Sequence, residues 1–147
     1  MPGQTERPTL DYAVVCDDVR FETGDKISLM GVFDAIKLQS FPTVNARLAV
    51  VAAWMDVPGE VKSEIELVDP FGNVLRQLGA ARIQQKGARK GARHIAVALN
   101  IPFNTPGIYQ IRIILDGKAV RNIPIPVESV STPAKPFSNM GKLSDMA

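Results

Sequence analysis

The sequence predicts an all-β protein, a single antiparallel β-sandwich of the immunoglobulin-like kind with seven to eight strands. Gly, Pro, Asn and Asp interrupt the chain every eight to twelve residues or so, a spacing typical of short antiparallel strands. Between these breaks the residues alternate apolar with polar or are apolar throughout, and no stretch of useful length has helical periodicity. We divide the chain into an N-terminal arm (1–9), a β-sandwich domain (10–128) and a C-terminal tail (129–147).

The first half of the domain contains three predicted strands, at 10–21, 27–38 and 45–56. Gly24-Asp25 suits the tight turn between the first two. Gly31 lies inside the second strand, which predicts a bulge or a close backbone approach. The third strand is apolar on both faces in its middle, so we expect it to be central in a sheet.

The second half contains five predicted strands, at 61–68, 74–83, 94–103, 108–115 and 118–127. Residues 61–68 alternate cleanly, as expected for a strand with one wet face. Asp69-Pro-Phe-Gly72 is a type I turn sequence. Asp116-Gly117 stands between two apolar segments, which is the strongest short-range signal for a hairpin. The tail is rich in Pro, Ser, Gly and Lys, and we expect it to be flexible because it has little apolar surface to bury.

Composition indicates a soluble protein. The formal charge is +2 and the hydrophobic content is 46%, which point neither to a nucleic-acid partner nor to a membrane partner. The longest apolar run, Leu48–Met55, is far shorter than the roughly 20 residues that a membrane helix needs. The lone Cys16 excludes an intramolecular disulfide and fits a reducing compartment. We therefore expect a cytoplasmic protein.

Catalysis is not predicted. Nucleophilic catalysis needs Ser, Cys or Thr beside a base that an acid orients. His94 is the only histidine, and its place at the start of a strand suggests a half-exposed edge residue. Cys16 follows an apolar run, which suggests an inert buried thiol. We expect no enzyme activity and no cofactor.

Two adjacent aspartates give the best candidate for a metal site. One histidine and one cysteine exclude a zinc cage of the usual ligands within the chain. Asp17 and Asp18, with Asp34 or Asp25, could supply oxygen ligands to calcium. A structural role explains the same residues more simply.

That structural alternative is a β-bulge across Asp17-Asp18. The inward positions on the first strand are Val14 and Cys16, followed by Val19 and Phe21, so the alternation shifts by one residue. A bulge produces such a shift.

The segment 86–93 is the clearest candidate for ligand binding. Lys86, Arg89, Lys90 and Arg93 place four positive charges in eight residues, on a Gly-Ala backbone with no acidic residue between them. Such a loop can bind phosphates and other anions. No aromatic residue interleaves with it, so base stacking is not suggested. A solvated hairpin tip that keeps a sheet edge soluble explains the same residues.

Arg112 and Arg121 are a second cationic candidate. A two-residue turn at Asp116-Gly117 would place them opposite each other, and like charges so placed repel. Either an anion or an acidic side chain lies between them, or the register slips. The apolar positions after Arg121 favour a bulge near Arg121-Asn122.

Two further features of the sequence could recognise an apolar surface of a partner. Trp54 is most simply a core residue, although on the surface it would be a sugar platform or a partner anchor. In the tail, Phe137, Met140 and Leu143 are isolated apolar residues that suit docking on another chain.

The sequence also resembles a family of small uncharacterised bacterial proteins. The resemblance rests on Cys16-Asp-Asp-Val-Arg20, on Lys26-Ile-Ser-Leu-Met-Gly-Val-Phe-Asp34, and on the later Asp69-Pro-Phe-Gly72 and Pro106-Gly-Ile-Tyr109. It covers about residues 10 to 127 and leaves the tail outside. The family has no assigned activity, so the resemblance implies no functional residue.

We therefore predict a non-enzymatic protein-interaction or structural module. Its partner is another protein chain or a second copy of itself, bound through the tail or an exposed sheet edge. The alternative is a module that binds an anion, a nucleic acid or a glycan through the basic loop 86–93. Calcium binding at Asp17, Asp18 and Asp34 is the third hypothesis.

Overall fold

A computed structural model describes residues 8–130 of the 147-residue chain. Residues 1–7 and 131–147 lie outside the described part, and with them most of the predicted arm and tail. Nine β-strands and no helix occur in the described residues. The strands are β1 (Thr9–Phe21), β2 (Ile27–Val32), β3 (Ile36–Leu38), β4 (Thr43–Met55), β5 (Glu60–Val68), β6 (Val74–Gln84), β7 (Ala92–Phe103), β8 (Gly107–Leu115) and β9 (Lys118–Ser129).

The strands form two sheets around a shared core. Sheet A has the order β2-β1-β4-β7 and sheet B the order β3-β9-β8-β5-β6. The all-β prediction is confirmed. The immunoglobulin-like topology is not confirmed, because the two sheets group other strands, in chain order, than the A-B-E-D and C-F-G sheets of an immunoglobulin domain. The prediction of purely antiparallel strands is wrong at one place, since β3 runs parallel to β9.

The predicted second strand is two strands in different sheets. Ile27–Val32 pairs with β1 in sheet A, whereas Ile36–Leu38 pairs with β9 in sheet B. Gly31 has a φ of +67°, and a Cβ added to it would lie 2.3 Å from the Asp17 carboxylate. The expected close backbone approach is therefore confirmed. The chain leaves sheet A directly after this point.

The core lies between the sheets, and β4 is its centre in sheet A. β4 pairs with β1 on one side and β7 on the other, and residues Leu48 to Trp54 are all buried. The prediction of a central strand is confirmed. Trp54 itself is 2% exposed and belongs to the main core, which confirms its core assignment.

The hairpin of β8 and β9 has the predicted turn and the predicted bulge. Asp116 and Gly117 both have positive φ, as a type I′ turn requires. The register shifts so that Arg112 pairs with Asn122 and Arg121 pairs with Ile113. The two arginines therefore do not face each other. Arg112 instead forms an ion pair of 3.3 Å with Glu66 on β5.

None of the described residues forms a helix long and apolar enough to cross a membrane.

Candidate binding cleft at the basic loop

The basic loop connects β6 to β7 and has a defined backbone. Its tip is closed by two backbone hydrogen bonds between Lys86 and Gly91, with N–O distances of 2.7 and 3.2 Å. Gly87 and Lys90 have positive φ, of 75° and 52°. The glycine takes up this backbone conformation without steric cost, and the turn at the tip depends on it.

The loop is also tied to the end of β4. The Asp56 N–H donates to the carbonyl of Arg89 at 3.3 Å, and the Val57 N–H donates to the carbonyl of Lys90 at 2.9 Å. Val57 is fully buried, so this anchor is part of the core. The loop residues are exposed, as a solvated hairpin tip would be, but their cationic side chains start from a fixed backbone.

Arg89 and Arg93 make side-chain contacts with residues of β1, β4 and the β1–β2 turn. The Arg89 guanidinium lies 3.6 Å from the Asp11 carboxylate and also contacts the sulfur of Met55. Arg93 donates a hydrogen bond of 2.6 Å to the backbone carbonyl of Asp25. Within residues 8–130, no carboxylate lies within 4 Å of the charged groups of Lys86, Lys90 or Arg93. Lys86 and Lys90 therefore have no ion-pair partner in this part of the chain, and Arg93 is held by a neutral carbonyl and not by a carboxylate.

These contacts enclose a cleft of about 970 Å³ between the basic loop, the β1–β2 turn and the ends of β1 and β4. Of the four predicted site residues, Lys86, Arg89 and Arg93 line it and Lys90 does not. Its apolar lining comes from several strands and consists of Tyr12, Phe21, Ile27, Ala53, Trp54, Met55, Ile83, Ala92 and Ile95.

Two aromatic side chains that the sequence did not associate with the loop lie in this cleft. Tyr12 is 38% exposed and Phe21 is 74% exposed. The interpretation of Phe21 as an inward core residue is wrong, because β1 carries it past the end of the core. Its flanking residues, Arg20 and Glu22, are both charged, and this was the available signal for an exposed position.

Charges of both signs line the cleft. Five cationic residues, Lys26, Arg82, Lys86, Arg89 and Arg93, face four acidic ones, Asp11, Glu22, Asp25 and Glu60. Arg82 and Glu60 are 3.7 Å apart in an exposed ion pair. Such pairs contribute about 0–1 kcal/mol, so a ligand can replace them at little cost. The field in the cleft is consequently mixed and not uniformly positive.

The indole N–H of Trp54 is a further polar group beside the cleft. It is buried and has no hydrogen-bond partner among residues 8–130. A buried donor without a partner costs about 1–3 kcal/mol. Among the residues that line the cleft, Trp54 is thus the one with a buried side-chain donor that lacks a hydrogen-bond partner in the described part of the chain.

His94 lies in the core and not at an exposed edge, so the edge interpretation is wrong. It is 5% exposed, and its Nδ1 is 2.7 Å from the hydroxyl of the fully buried Ser63 on β5. In β7 the residues His94, Ala96 and Ala98 are buried, and the phase changes at Asn100, so that Ile101 and Phe103 are buried next; sequence position alone did not reveal this. Burial lowers the pKa of His94 below its ordinary value.

Stability should fall in mildly acidic solution because of this histidine. The unfolded chain binds a proton near pH 6.5, whereas the buried imidazole resists protonation until lower pH. The contribution is therefore fully present above about pH 6.5 and is lost as the pH falls through and below that value. We expect the free energy of unfolding to decrease between pH 7 and pH 5 with a steeper slope than in a His94→Gln variant.

Because His94 is the only histidine, a single imidazole NMR signal reports its titration in the native protein. A midpoint at or above 6.5, or equal slopes in the two proteins, would contradict the prediction. Carboxylates titrate in both proteins and cancel in the comparison.

Cys16 is fully buried on the side of sheet A that faces away from the main core, where it clusters with Val19, Ala49 and Val51. Its Sγ is 3.4 Å from the carbonyl oxygen of Asp18, and burial raises the pKa of the thiol. The prediction of a buried thiol is confirmed, although it faces the outer cluster and not the sandwich interior.

The candidate calcium ligands do not converge. Asp18 accepts a hydrogen bond from the Val19 N–H at 2.8 Å and forms an ion pair of 2.7 Å with Arg47. Asp17 lies against Gly31. Within residues 8–130, no three His, Cys, Asp or Glu side chains, Asp34 included, are placed to hold a metal ion. The predicted β-bulge across Asp17-Asp18 is wrong, because the register of β1 with β2 stays constant from Cys16 to Phe21 and the register shift of β1 lies between Leu10 and Tyr12 in its pairing with β4.

The two sheets, their common core and the cleft at the basic loop define an all-β domain with an open cleft at one end. The chain belongs to a family of unknown function (DUF6941), whose model matches residues 11–128. The resemblance to an uncharacterised family is thereby confirmed. No curated protein matches the chain.

One similar solved structure is the Pseudomonas fluorescens alkylpurine DNA glycosylase AlkC bound to DNA containing an abasic site analog. The identity is 13% and the TM-score 0.46, over 83% of this chain and 30% of that chain. This chain thus spans less than a third of the length of the glycosylase chain, and a likeness of this size supports no inference about activity.

Proposed function

We propose that this protein is a non-enzymatic interaction module whose cleft binds an extended segment of another protein. The segment carries acidic side chains among apolar or aromatic ones. The observation that carries this proposal is the composition of the lining, in which an apolar floor with two exposed aromatic residues lies between charges of both signs.

The aromatic side chains and the arginines are suited to protein recognition. Tyr, Trp and Arg are enriched among the residues that contribute most to protein–protein binding. Tyr12 and Phe21, near the two ends of β1, line the same cleft as Arg89, which lies on the distant β6–β7 loop. A volume of about 970 Å³ lies at the upper end of the range for small-molecule sites, which favours a longer ligand.

The free cations favour acidic side chains on the partner. Arginine pairs with carboxylates through two parallel hydrogen bonds, and such charge-assisted bonds are about twice as strong as neutral ones. Lys86 and Arg89 project from a loop that the hydrogen bonds from Asp56 and Val57 already hold in place, and Arg93 projects from the start of β7, where it is paired with Ala53. Binding therefore has less ordering entropy to overcome at this loop.

The acidic residues of the lining argue against a uniform polyanion. A phosphate backbone would approach Asp11, Glu22, Asp25 and Glu60 as well as the cations. A peptide with mixed charges can complement both signs, which also gives specificity.

An anion, nucleic-acid or glycan ligand at the basic loop is the second candidate function. It is favoured by Lys86, Lys90 and Arg93, whose charges have no carboxylate partner within residues 8–130. Phosphate contacts made by these residues would be strongly dependent on salt concentration.

The absence of catalysis is supported by the position of the only histidine. His94 and Ser63 face the core, whereas a general base must reach the proton of a bound substrate.

The lone cysteine and the lack of a disulfide suit a bacterial cytoplasm, which we include in the proposal.

A selection of random peptides displayed on phage tests the proposal without a known partner. The wild-type protein is the target, and the Arg89→Ser/Arg93→Ser variant removes background binders. We expect the enriched peptides to combine Asp or Glu with aromatic or apolar residues. The variant should bind them at least about tenfold more weakly, which equals about 1.4 kcal/mol.

Lys118→Ser/Arg121→Ser is the matched control, because it removes the same charge from exposed positions on β9. If the control weakens binding as much as the cleft variant, or if selection yields no peptide that distinguishes the variant, the proposal is wrong. An oligodeoxythymidine serves as the probe for the second candidate function. If it binds while no peptide does, and only when the cleft cations are intact, the second candidate replaces the first.

A further inference from the structure

The β1–β2 hairpin, residues 17–31, folds back over the outer face of sheet A, the side that faces away from the main core. The pairing of β1 with β4 ends at Cys16, and the rest of β1 pairs only with β2 in the described part of the chain. A straight strand would carry Phe21 about 30 Å from Tyr12 and away from the cleft. Instead, the hairpin tip contacts Arg93, which lies in the same row of paired residues as Tyr12. The tip has therefore returned over the sheet.

A small apolar cluster fills the space between the hairpin and the sheet. Its members are Val19, Ile27 and Leu29 of the hairpin and Cys16, Ala49, Val51 and Ile95 of the sheet. Cys16, Ala49 and Val51 are fully buried although they face away from the main core. The hairpin is thus the part of the described chain that covers them.

A single hydrogen bond holds the tip of the hairpin against the sheet. Arg93 of β7 donates to the backbone carbonyl of Asp25 at 2.6 Å. In the described part of the chain, no other hydrogen bond or ion pair joins residues 19–30 to anything outside β1, β2 and their turn. The base of the hairpin is held separately, by the 2.7 Å ion pair between Asp18 and Arg47. The tip can therefore move while the base stays in place.

We propose that the hairpin is a lid on the cleft, and that an acidic side chain of the bound segment opens it by taking Arg93 from the Asp25 carbonyl. This inference rests on the function proposed above and adds how the cleft admits its ligand. A carboxylate accepts two parallel hydrogen bonds from a guanidinium and adds the attraction of opposite charges, which a neutral carbonyl lacks. Asp25 lies in an exposed turn, so water replaces Arg93 at its carbonyl without a buried group being left unpaired.

The cleft and the space beneath the lid are continuous. Ile27 and Ile95 belong both to the apolar cluster and to the lining of the cleft. Phe21, Glu22 and Lys26 at the tip line the cleft as well. Movement of the tip therefore widens the cleft beside Arg93, where the acidic side chain binds. A lid of this kind lets the protein respond to carboxylates and not to neutral segments of the same shape.

Reaction of the Cys16 thiol with N-ethylmaleimide measures opening of the lid in the free protein. Cys16 is the only cysteine, and it is fully buried in the cluster beneath the hairpin. We expect Arg93→Ser to raise the reaction rate at least about tenfold, because the variant loses a hydrogen bond from a charged donor. Arg121→Ser removes the same charge from an exposed position on β9 and should stay within about twofold of the wild type.

Urea denaturation of the same proteins separates opening of the lid from global unfolding. If the faster reaction of Arg93→Ser is accounted for by a lower stability of the whole fold, or if Arg93→Ser and the wild type react at the same rate, the lid is wrong whatever the ligand does.

Hydrogen exchange of the hairpin amides tests the role of the ligand. The probe is the peptide that binds best in the phage selection, and its control is a copy with Asn and Gln in place of Asp and Glu. A ligand that binds only the folded protein ordinarily slows exchange. A two-stranded hairpin that packs on nothing is marginally stable in water, so an opened lid exchanges faster. We expect the acidic peptide to raise the exchange rate of residues 19–30 about tenfold while it slows exchange in β5 and β8.

The outcomes separate the lid from the proposed function. If the acidic peptide binds and slows exchange in the hairpin, or if the neutral copy accelerates it equally, the lid is wrong and the proposed function stands. If selection returns no peptide, the proposed function fails and opening by a ligand fails with it. The thiol reaction then still decides whether Arg93 holds the hairpin closed.

Discussion

Replacement of Phe103 by alanine is expected to lower the free energy of unfolding by about 3–5 kcal/mol. Phe103 is fully buried at the end of β7, and its ring meets the ring of Tyr109 edge-on with centroids 5.1 Å apart. Truncation removes the buried apolar surface and leaves a cavity that the surrounding β-strands cannot fill without losing their pairing. The aromatic contact adds about 0.5–1.5 kcal/mol to what burial alone provides.

Phe71→Ala is the matched control for this substitution. Phe71 is 76% exposed in the turn between β5 and β6, so the same chemical change there should alter stability by no more than about 0.5 kcal/mol. Urea denaturation of both variants measures the difference. Similar losses in the two variants would mean that the core is not where the two sheets place it.

Gly107→Ala is expected to be strongly destabilising. Gly107 begins β8 with a φ of +149°, and a Cβ there would lie 2.7 Å from the ring of Pro70. The proline ring cannot rotate away, so the turn of Asp69 to Gly72 or the start of β8 must shift. Overpacking of this kind costs about 1–3 kcal/mol in addition to the backbone strain.

Gly59→Ala separates the two contributions. Gly59 also has a positive φ, of 118°, but nothing lies within 4 Å of an added Cβ. The variant therefore reports mainly the backbone cost, and Gly107→Ala should exceed it by about 1–3 kcal/mol in thermal or urea unfolding. Equal costs would show that the turn at Pro70 does not press on β8.

Most strands were predictable because their signals are local. The alternation of residues 61–68 and the Asp116-Gly117 turn each specify a β-structure within a few residues, and β5 and the β8–β9 hairpin follow them closely. The split between β2 and β3 was not predictable in this way. Both segments are apolar and extended, and only their partners in different sheets separate them.

The residues of the candidate site were likewise predictable only where their signal is local. The four cations of the loop stand together in the sequence, so their clustering was visible there. Tyr12 and Phe21 were missed because they reach the cleft only through strand pairing, Tyr12 opposite Ala53 of β4 and Phe21 opposite Ile27 of β2. The anchoring of the loop by Asp56 and Val57 depends on backbone hydrogen bonds between distant segments, which leave no pattern in composition.

By itself, the sequence determined that this protein is all-β, which turns it uses and which loop concentrates positive charge. These properties depend on side-chain alternation and on the conformational preferences of Gly, Pro and Asp, which act over a few residues. Only the tertiary structure decided that His94 is buried against Ser63, that β2 and β3 belong to different sheets, and that aromatic side chains share the cleft with the arginines. The reason is that strand pairing joins residues far apart in the chain, and the choice among possible partners is made by packing of the whole core.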